Sequence, residues 1–266
     1  MFDIVIPLGP NDTENIEKQI SCTKKNVVGF RNIYIVKAPS VHCGRCLPST
    51  IERKASLTPL QIQIDGCIVI DESIFPFADQ IAVYHSKDNR NGWYLQQLIK
   101  LYAGFVIPGI LDRYLVIDAD TFFLNPTSFI NSENQCLYNF SREHHTHYFD
   151  HMLRLHPDFT RVYELSGICH HMMFETRILE EMMEKVIKKN SSNDPFWVIF
   201  LEKVEPWLRH GYGSGASEYE LYFNYVCKFH MDKIEIRELQ WENVKCLDLE
   251  KYAGLDYISN HHFMRS

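Results

Sequence analysis

The chain has 266 residues, 45% of them hydrophobic and 13% aromatic, which excludes a disordered chain. Its net charge of −7 excludes a non-specific nucleic-acid binder, since that requires a basic face, and obliges any anionic ligand to find a local cation. No apolar run approaches the roughly 20 residues of a membrane span, and the length fits one large domain or two intimately packed halves.

The opening Met1-Phe2-Asp3-Ile4-Val5-Ile6-Pro7 has neither the basic start nor the apolar stretch of a signal peptide and reads as a first strand over Asp3 to Pro7. It stops at a cluster of turn formers, Pro7-Leu8-Gly9-Pro10-Asn11-Asp12. Ile16 and Ile20, four apart among polar residues, predict a helix over 13–23, and the β-branched stretch Asn32 to Lys37 predicts a second strand. Cys43-Gly44-Arg45-Cys46 is a single CxxC with no second pair, so it reads as a loop rather than a zinc site. Eight scattered cysteines and no secretion signal predict reduced thiols and a cytoplasmic location.

A third strand is expected over Cys67 to Ile70. Tyr94, Leu95, Leu98, Leu101 and Tyr102 then predict a helix over 92–103, ended by Gly104. Arg113 to Ile117 follows as a near-continuous apolar strand, the pattern of a strand buried on both faces. Later strands are expected over 135–140, 167–174 and near 234–238, with helices over 176–189 and 217–229. This alternation predicts an α/β fold with a mostly parallel sheet.

The sharpest feature is Asp118-Ala119-Asp120 where the Arg113 to Ile117 strand should emerge. Strand alternation would project both carboxylates to one side, at the sheet edge where open α/β folds bind ligands. Two close carboxylates repel unless a cation or proton is shared. All-oxygen ligation favours Mg²⁺ or Mn²⁺ over zinc. The blander reading makes Asp118 a strand cap and Asp120 the start of a solvated turn.

Extended to Asp118-Ala119-Asp120-Thr121-Phe122-Phe123-Leu124-Asn125-Pro126, the motif resembles that of the GT-A glycosyltransferases, enzymes that use nucleotide sugars. Gly92-Trp93-Tyr94-Leu95-Gln96-Gln97 and Ser217-Glu218-Tyr219-Glu220-Leu221-Tyr222 extend the resemblance to a bacterial and viral subgroup. The resemblance implies one GT-A domain over 1–266, with a nucleotide-sugar half to about 125 and an acceptor half after it. It further implies a UDP-sugar donor of glucose, galactose or xylose type and a hydroxyl acceptor on a glycan or glycoconjugate. By the same resemblance Asp120 would ligate the metal, with Asp118 touching ribose or a metal-bound water, and His261 or His262 would complete the metal's shell. Pro7, Leu8 and Gly9 would hold the nucleoside, while Gly167 and His170 would face the sugar.

Other candidates come from the residues themselves. Arg90 stands at the start of a helix, where phosphate is attracted, and Gln97 lies on that helix; both are candidate donor contacts. Adjacent His170 and His171 on a strand would point to opposite faces, so at most one meets a ligand. Ser217 and Glu220 form a capping box, which gives Glu220 a structural role, and the resemblance implies that Glu218 is the base that deprotonates the acceptor in an inverting reaction. His144-His145-Thr146-His147 lacks zinc spacing and reads as a loop at the acceptor rim. Two alternatives stand beside this reading. One is a phosphatase of the haloacid-dehalogenase type, which also carries D-x-D. The other is a non-catalytic carbohydrate- or nucleotide-binding module.

Overall fold

The computed structural model describes residues 1–38, 63–64, 66–81, 90–191, 193–209 and 214–265; the Cys43/Cys46 pair lies outside them. The strands are β1 (Phe2–Leu8), β2 (Val27–Val28), β3 (Phe30–Lys37), β4 (Gln63–Ile64), β5 (Cys67–Asp71), β6 (Arg113–Ile117) and β7 (Thr121–Phe123). They continue as β8 (Thr127–Ser128), β9 (Cys136–Tyr138), β10 (His171–Glu175), β11 (Ile234–Ile236), β12 (Trp241–Asn243) and β13 (Tyr257–Ser259). The helices are α1 (Ile16–Asn26), α2 (Asn91–Val106), α3 (Thr146–Leu155), α4 (Thr176–Asn190), α5 (Phe196–Glu202), α6 (Pro206–Arg209) and α7 (Glu218–Phe229).

The principal sheet has the order β10-β6-β1-β3-β5-β4. Its four inner strands run parallel, and β4 and β10 close the edges antiparallel. The fold is therefore α/β with a mostly parallel sheet, as the alternation of elements predicts. Every residue of β1 is buried, which is why the strand reads as an almost unbroken apolar run. Aspartate is the exception: Asp3 is fully buried and is neutralised by Arg31 Nη2 at 2.6 Å.

A second, three-stranded sheet, β12-β13-β7, governs the site. Strand β13 runs antiparallel to β7, with Ser259 opposite Thr121, and the two hydroxyls lie 2.8 Å apart. The Asn260 N–H then donates to the Asp120 carbonyl at 2.8 Å. This pairing carries the end of the chain onto the segment that follows β6.

Four local expectations are corrected. Gly104 does not end α2, which runs on to Val106. A Cβ on Gly104 would lie 2.1 Å from Thr176 Oγ1 and 2.9 Å from the Tyr114 ring, so this glycine lets the helix approach its neighbours. The strand expected from Gly167 begins only at His171, because His170 has a φ of 62°, a left-handed backbone that breaks the extended run. His144 to His147 are not all loop, since Thr146 and His147 open α3. The capping box is half formed. Ser217 Oγ accepts from the Glu220 N–H at 3.3 Å, but the Glu220 carboxylate instead accepts from Ser166 Oγ at 2.5 Å and Asn224 Nδ2 at 3.0 Å. Glu220 thereby ties α7 to the loop before β10.

Candidate functional site

Buried strand β6 ends at Ile117, and residues 118–120 form a tight turn in which the Thr121 N–H donates to the Asp118 carbonyl at 3.0 Å. Beside it, the left-handed turn at His170 lets its carbonyl accept from the Asp118 N–H at 2.9 Å. The two aspartates thus leave the sheet in a turn rather than along a continuing strand, and each acquires its own set of partners.

Asp118 Oδ1 accepts from Tyr219 Oη at 2.9 Å and pairs with Lys100 Nζ at 2.7 Å. His170 Nδ1 lies 3.6 Å from Asp118 Oδ2. Burial would raise the Asp118 carboxyl, but the Lys100 ammonium and the His170 ring beside it outweigh that and hold it well below the usual carboxylate range. Lys100 Nζ also donates to Glu218 Oε1 at 2.7 Å and stands 4.2 Å from the centre of the Tyr219 ring. Burial works against its charge, yet the two carboxylates outweigh that and raise the ammonium pKa. Burial raises Glu218, with Lys100 opposing.

Asp120 Oδ2 lies 2.8 Å from His261 Nδ1, placed there by the β13–β7 pairing. Asp120 Oδ1 is buried and has no hydrogen-bond partner among the described residues. Burial disfavours charge on His261, but the bond to Asp120 and its charge raise the imidazole pKa. His262 is exposed in the 3-10 turn that follows, so the geometry separates the adjacent histidines. Arg265 locks this tail across the end of β1, donating to the Asn260 carbonyl at 2.8 Å, the Asn11 carbonyl at 2.6 Å and Asp12 Oδ1.

The remaining sequence candidates are distributed as follows. Pro7 and Leu8 are the last, buried residues of β1, and Gly9 follows them. A Cβ on Gly9 would lie 3.1 Å from Gln96 Nε2, so the chain passes close to α2 here. Arg90 is half-buried at the N-cap position of α2, where its carbonyl accepts from the Tyr94 N–H at 3.0 Å. Gln97 is buried one turn before Lys100, and neither atom of its amide has a partner among the described residues. At Gly167 a Cβ would lie 2.4 Å from the Phe223 side chain, which makes its glycine a requirement of α7 packing. His171 packs edge-on among Phe123, Phe129 and Tyr257, on the core side, while its neighbour His170 faces Asp118.

Repulsion between the aspartates does not by itself call for a metal, because Lys100 and His261 each supply a partner within the chain. Among the described residues no group of three or more His, Cys, Asp or Glu side chains is arranged to hold a metal ion. A smaller donor set nevertheless fits one. Asp120 and His261 already converge, and Asp120 keeps an unpartnered buried oxygen. Mg²⁺-type sites use one or two protein ligands and leave the rest to water and substrate phosphates.

Sequence reasoning missed Lys100 as the hub of the site, and Tyr219 and Arg265 as its braces. The signal for Lys100 was available. A lysine on the apolar face of α2, beside Leu98 and Leu101, requires a buried acid. Tyr219 and Arg265 carried no such mark.

A sequence model of a family of unknown function, DUF6492, matches residues 51–250. No curated protein matches the sequence. Among solved structures, the apo form of mouse xyloside xylosyltransferase 1 aligns over 100% of this chain and 99% of its own, at 10% identity and a TM-score of 0.46. Among the described residues no helix is long and apolar enough to cross a membrane.

Proposed function

This chain belongs to the family of unknown function DUF6492, and we propose that it is a GT-A glycosyltransferase moving a sugar from a nucleoside diphosphate sugar to a hydroxyl of a glycan or glycoconjugate. The donor class we favour is a UDP-sugar of glucose, galactose or xylose type. The observation that carries this reading is the convergence of Asp118, Asp120 and His261 at the end of the interior strand β6, which the tail delivers through β13.

In this reading Asp120 and His261 would hold Mn²⁺ or Mg²⁺. Bound there, the ion would supply the Lewis-acid charge that a diphosphate leaving group needs. Asp118, kept ionised by Lys100 and fixed by Tyr219, accepts hydrogen bonds from the donor ribose or from ordered water. Gly9 at the end of β1 gives the nucleoside a close approach to the backbone, with Arg90 and the unpartnered Gln97 on α2 as further donor contacts. Glu218 takes the acceptor proton, and burial suits it to that role by raising its affinity for a proton.

The test is turnover. UDP release from UDP-glucose, UDP-galactose and UDP-xylose is followed with Mn²⁺ and a mixture of glycan acceptors. Release that chelation abolishes and Asp120→Asn abolishes supports the reading. Hydrolysis of phosphomonoesters, with no release from any nucleotide sugar, removes it in favour of a phosphatase.

A further inference from the structure

Beside the site runs a groove of about 470 Å³, lined by His144, His145, His147, Tyr148, Trp207 and Ser214 among others. Its volume lies within the roughly 300–1,000 Å³ of small-ligand clefts. Trp207 is 59% exposed, an unusual state for the largest aromatic side chain. Its ring is nevertheless fixed. The indole Nε1–H donates to Glu205 Oε2 at 2.5 Å, and Glu205 Oε1 accepts from Arg154 Nη1 at 2.7 Å. Arg154 is anchored in turn by donating Nε to the Lys203 carbonyl at 2.8 Å. The His147 ring stands edge-on to the indole, with centroids 5.1 Å apart. A flat apolar face is thereby held rigid towards solvent, which lowers the entropy lost when a ligand stacks on it.

Among the described residues the groove lining includes no Asp, Glu, Lys or Arg, and the carboxylate next to it, Glu143 Oε2, lies 3.0 Å from His145 Nε2. The lining offers imidazoles and hydroxyls, groups that both donate to and accept from the hydroxyls of a ligand. That combination suits a sugar ring, which has an apolar C–H face and a polar rim. It does not suit a phosphorylated or carboxylated ligand, for which a fixed cation would be expected.

The floor of the groove continues towards Glu218. Ser214 lies three residues before the Ser217 cap of α7, and the intervening Gly215 N–H donates to Tyr94 Oη at 3.2 Å. Tyr148, packed against Trp93 with centroids 6.3 Å apart, forms the wall on the α2 side. Glu218 is near enough to this phenol to help raise its pKa, after burial as the larger cause.

We propose that this groove is the acceptor site and takes a neutral pyranose ring, its C–H face laid on the Trp207 indole and its hydroxyls met by the histidines. The assignment rests on the transferase reading above and adds the class of acceptor.

Saturation-transfer NMR tests it with methyl β-glucoside, methyl β-galactoside and methyl β-xyloside at millimolar concentration, and with methyl β-glucuronide as the charged counterpart. The expected result is transfer to at least one neutral glycoside, weaker transfer to the glucuronide, and about tenfold weaker binding in Trp207→Ala, the loss of one stacked aromatic face. Trp207→Phe should retain most of the affinity. Trp207 is exposed, so both variants should fold. No transfer to any neutral glycoside, unchanged binding in Trp207→Ala, or preference for the glucuronide overturns the proposal. The thermal shift caused by UDP with Mn²⁺, measured on the same samples, separates the two claims. Glycoside binding at Trp207 without that shift would leave the groove a sugar site and remove the transferase. The shift without glycoside binding would remove the groove alone.

Discussion

Lys100 Nζ lies 2.7 Å from Asp118 Oδ1, so the first aspartate of the D-x-D motif is neutralised by a buried lysine of α2. The same ammonium lies 2.7 Å from Glu218 Oε1. One cation therefore joins three elements, α2, the turn after β6 and α7. Removing one partner of a buried ion pair costs more than the pair contributes, because the charge left behind is desolvated and uncompensated. Lys100→Met should lower stability by about 3–5 kcal/mol in urea denaturation. Adding Glu218→Gln to Lys100→Met should recover part of the loss, since it removes one of the stranded charges. A single variant as stable as the wild type would mean that this triad is not closed in solution.

Glu218 has a second prediction of its own. If it takes the acceptor proton, Glu218→Gln should lower kcat by about 10²–10⁴-fold, the range of general-base catalysis, while UDP binding with Mn²⁺ stays within a factor of about two. The anomeric configuration of the product, read by NMR, should be inverted relative to the donor. Retention, or intact turnover in Glu218→Gln, would leave the residue as a counter-ion for Lys100.

His171 makes the fold sensitive to acid. Burial, with Arg237 and His170 adding to it, pushes its imidazole down to about 3, so the folded chain keeps the ring neutral. An unfolded histidine protonates near 6.5, and below that pH the unfolded state binds more protons. The contribution is therefore fully present above about pH 6.5 and is lost as pH falls from there towards 3. His171→Phe should remove this dependence in its aromatic surroundings. Between pH 7.5 and 5.0 the wild type should lose about 2 kcal/mol more stability than His171→Phe, at roughly 1.4 kcal/mol per pH unit below 6.5. Equal losses would show that the ring is not buried as a neutral group.

Gly104→Ala tests the close approach of α2. Its new methyl would meet Thr176 Oγ1 at 2.1 Å and the Tyr114 ring at 2.9 Å. Overpacking of this kind costs about 1–3 kcal/mol, against the stabilisation of roughly 1 kcal/mol that alanine brings to an unhindered helix position. A melting temperature above that of the wild type would contradict the packing.

Much of the sheet was legible because β1 and β6 are buried on both faces, so that Ile4 to Ile6 and Tyr114 to Ile117 read as unbroken apolar runs. Glycine misled where it served packing. Gly104 reads as a helix end and Gly167 as an opening for a sugar, yet each makes room for a neighbouring side chain, and such contacts are invisible in a linear sequence. Asp118 and Asp120 stood out by their place after a buried strand. Of their partners, His261 was reached through the resemblance alone, undivided from His262, while Lys100 and Tyr219 meet Asp118 only through the packing of α2 and α7, which the linear sequence does not display. The braced Trp207 was equally hidden, since only the Arg154–Glu205 pair reveals that its ring is held in place.

The central claim is most directly tested by calorimetric titration of UDP in the presence and absence of Mn²⁺, with the wild type and Asp120→Asn compared. Binding that requires Mn²⁺ and weakens by at least about a hundredfold in Asp120→Asn, a difference of roughly 2.7 kcal/mol, is the predicted result. Equal binding by both proteins, or no binding by the wild type with Mn²⁺ present, would contradict it.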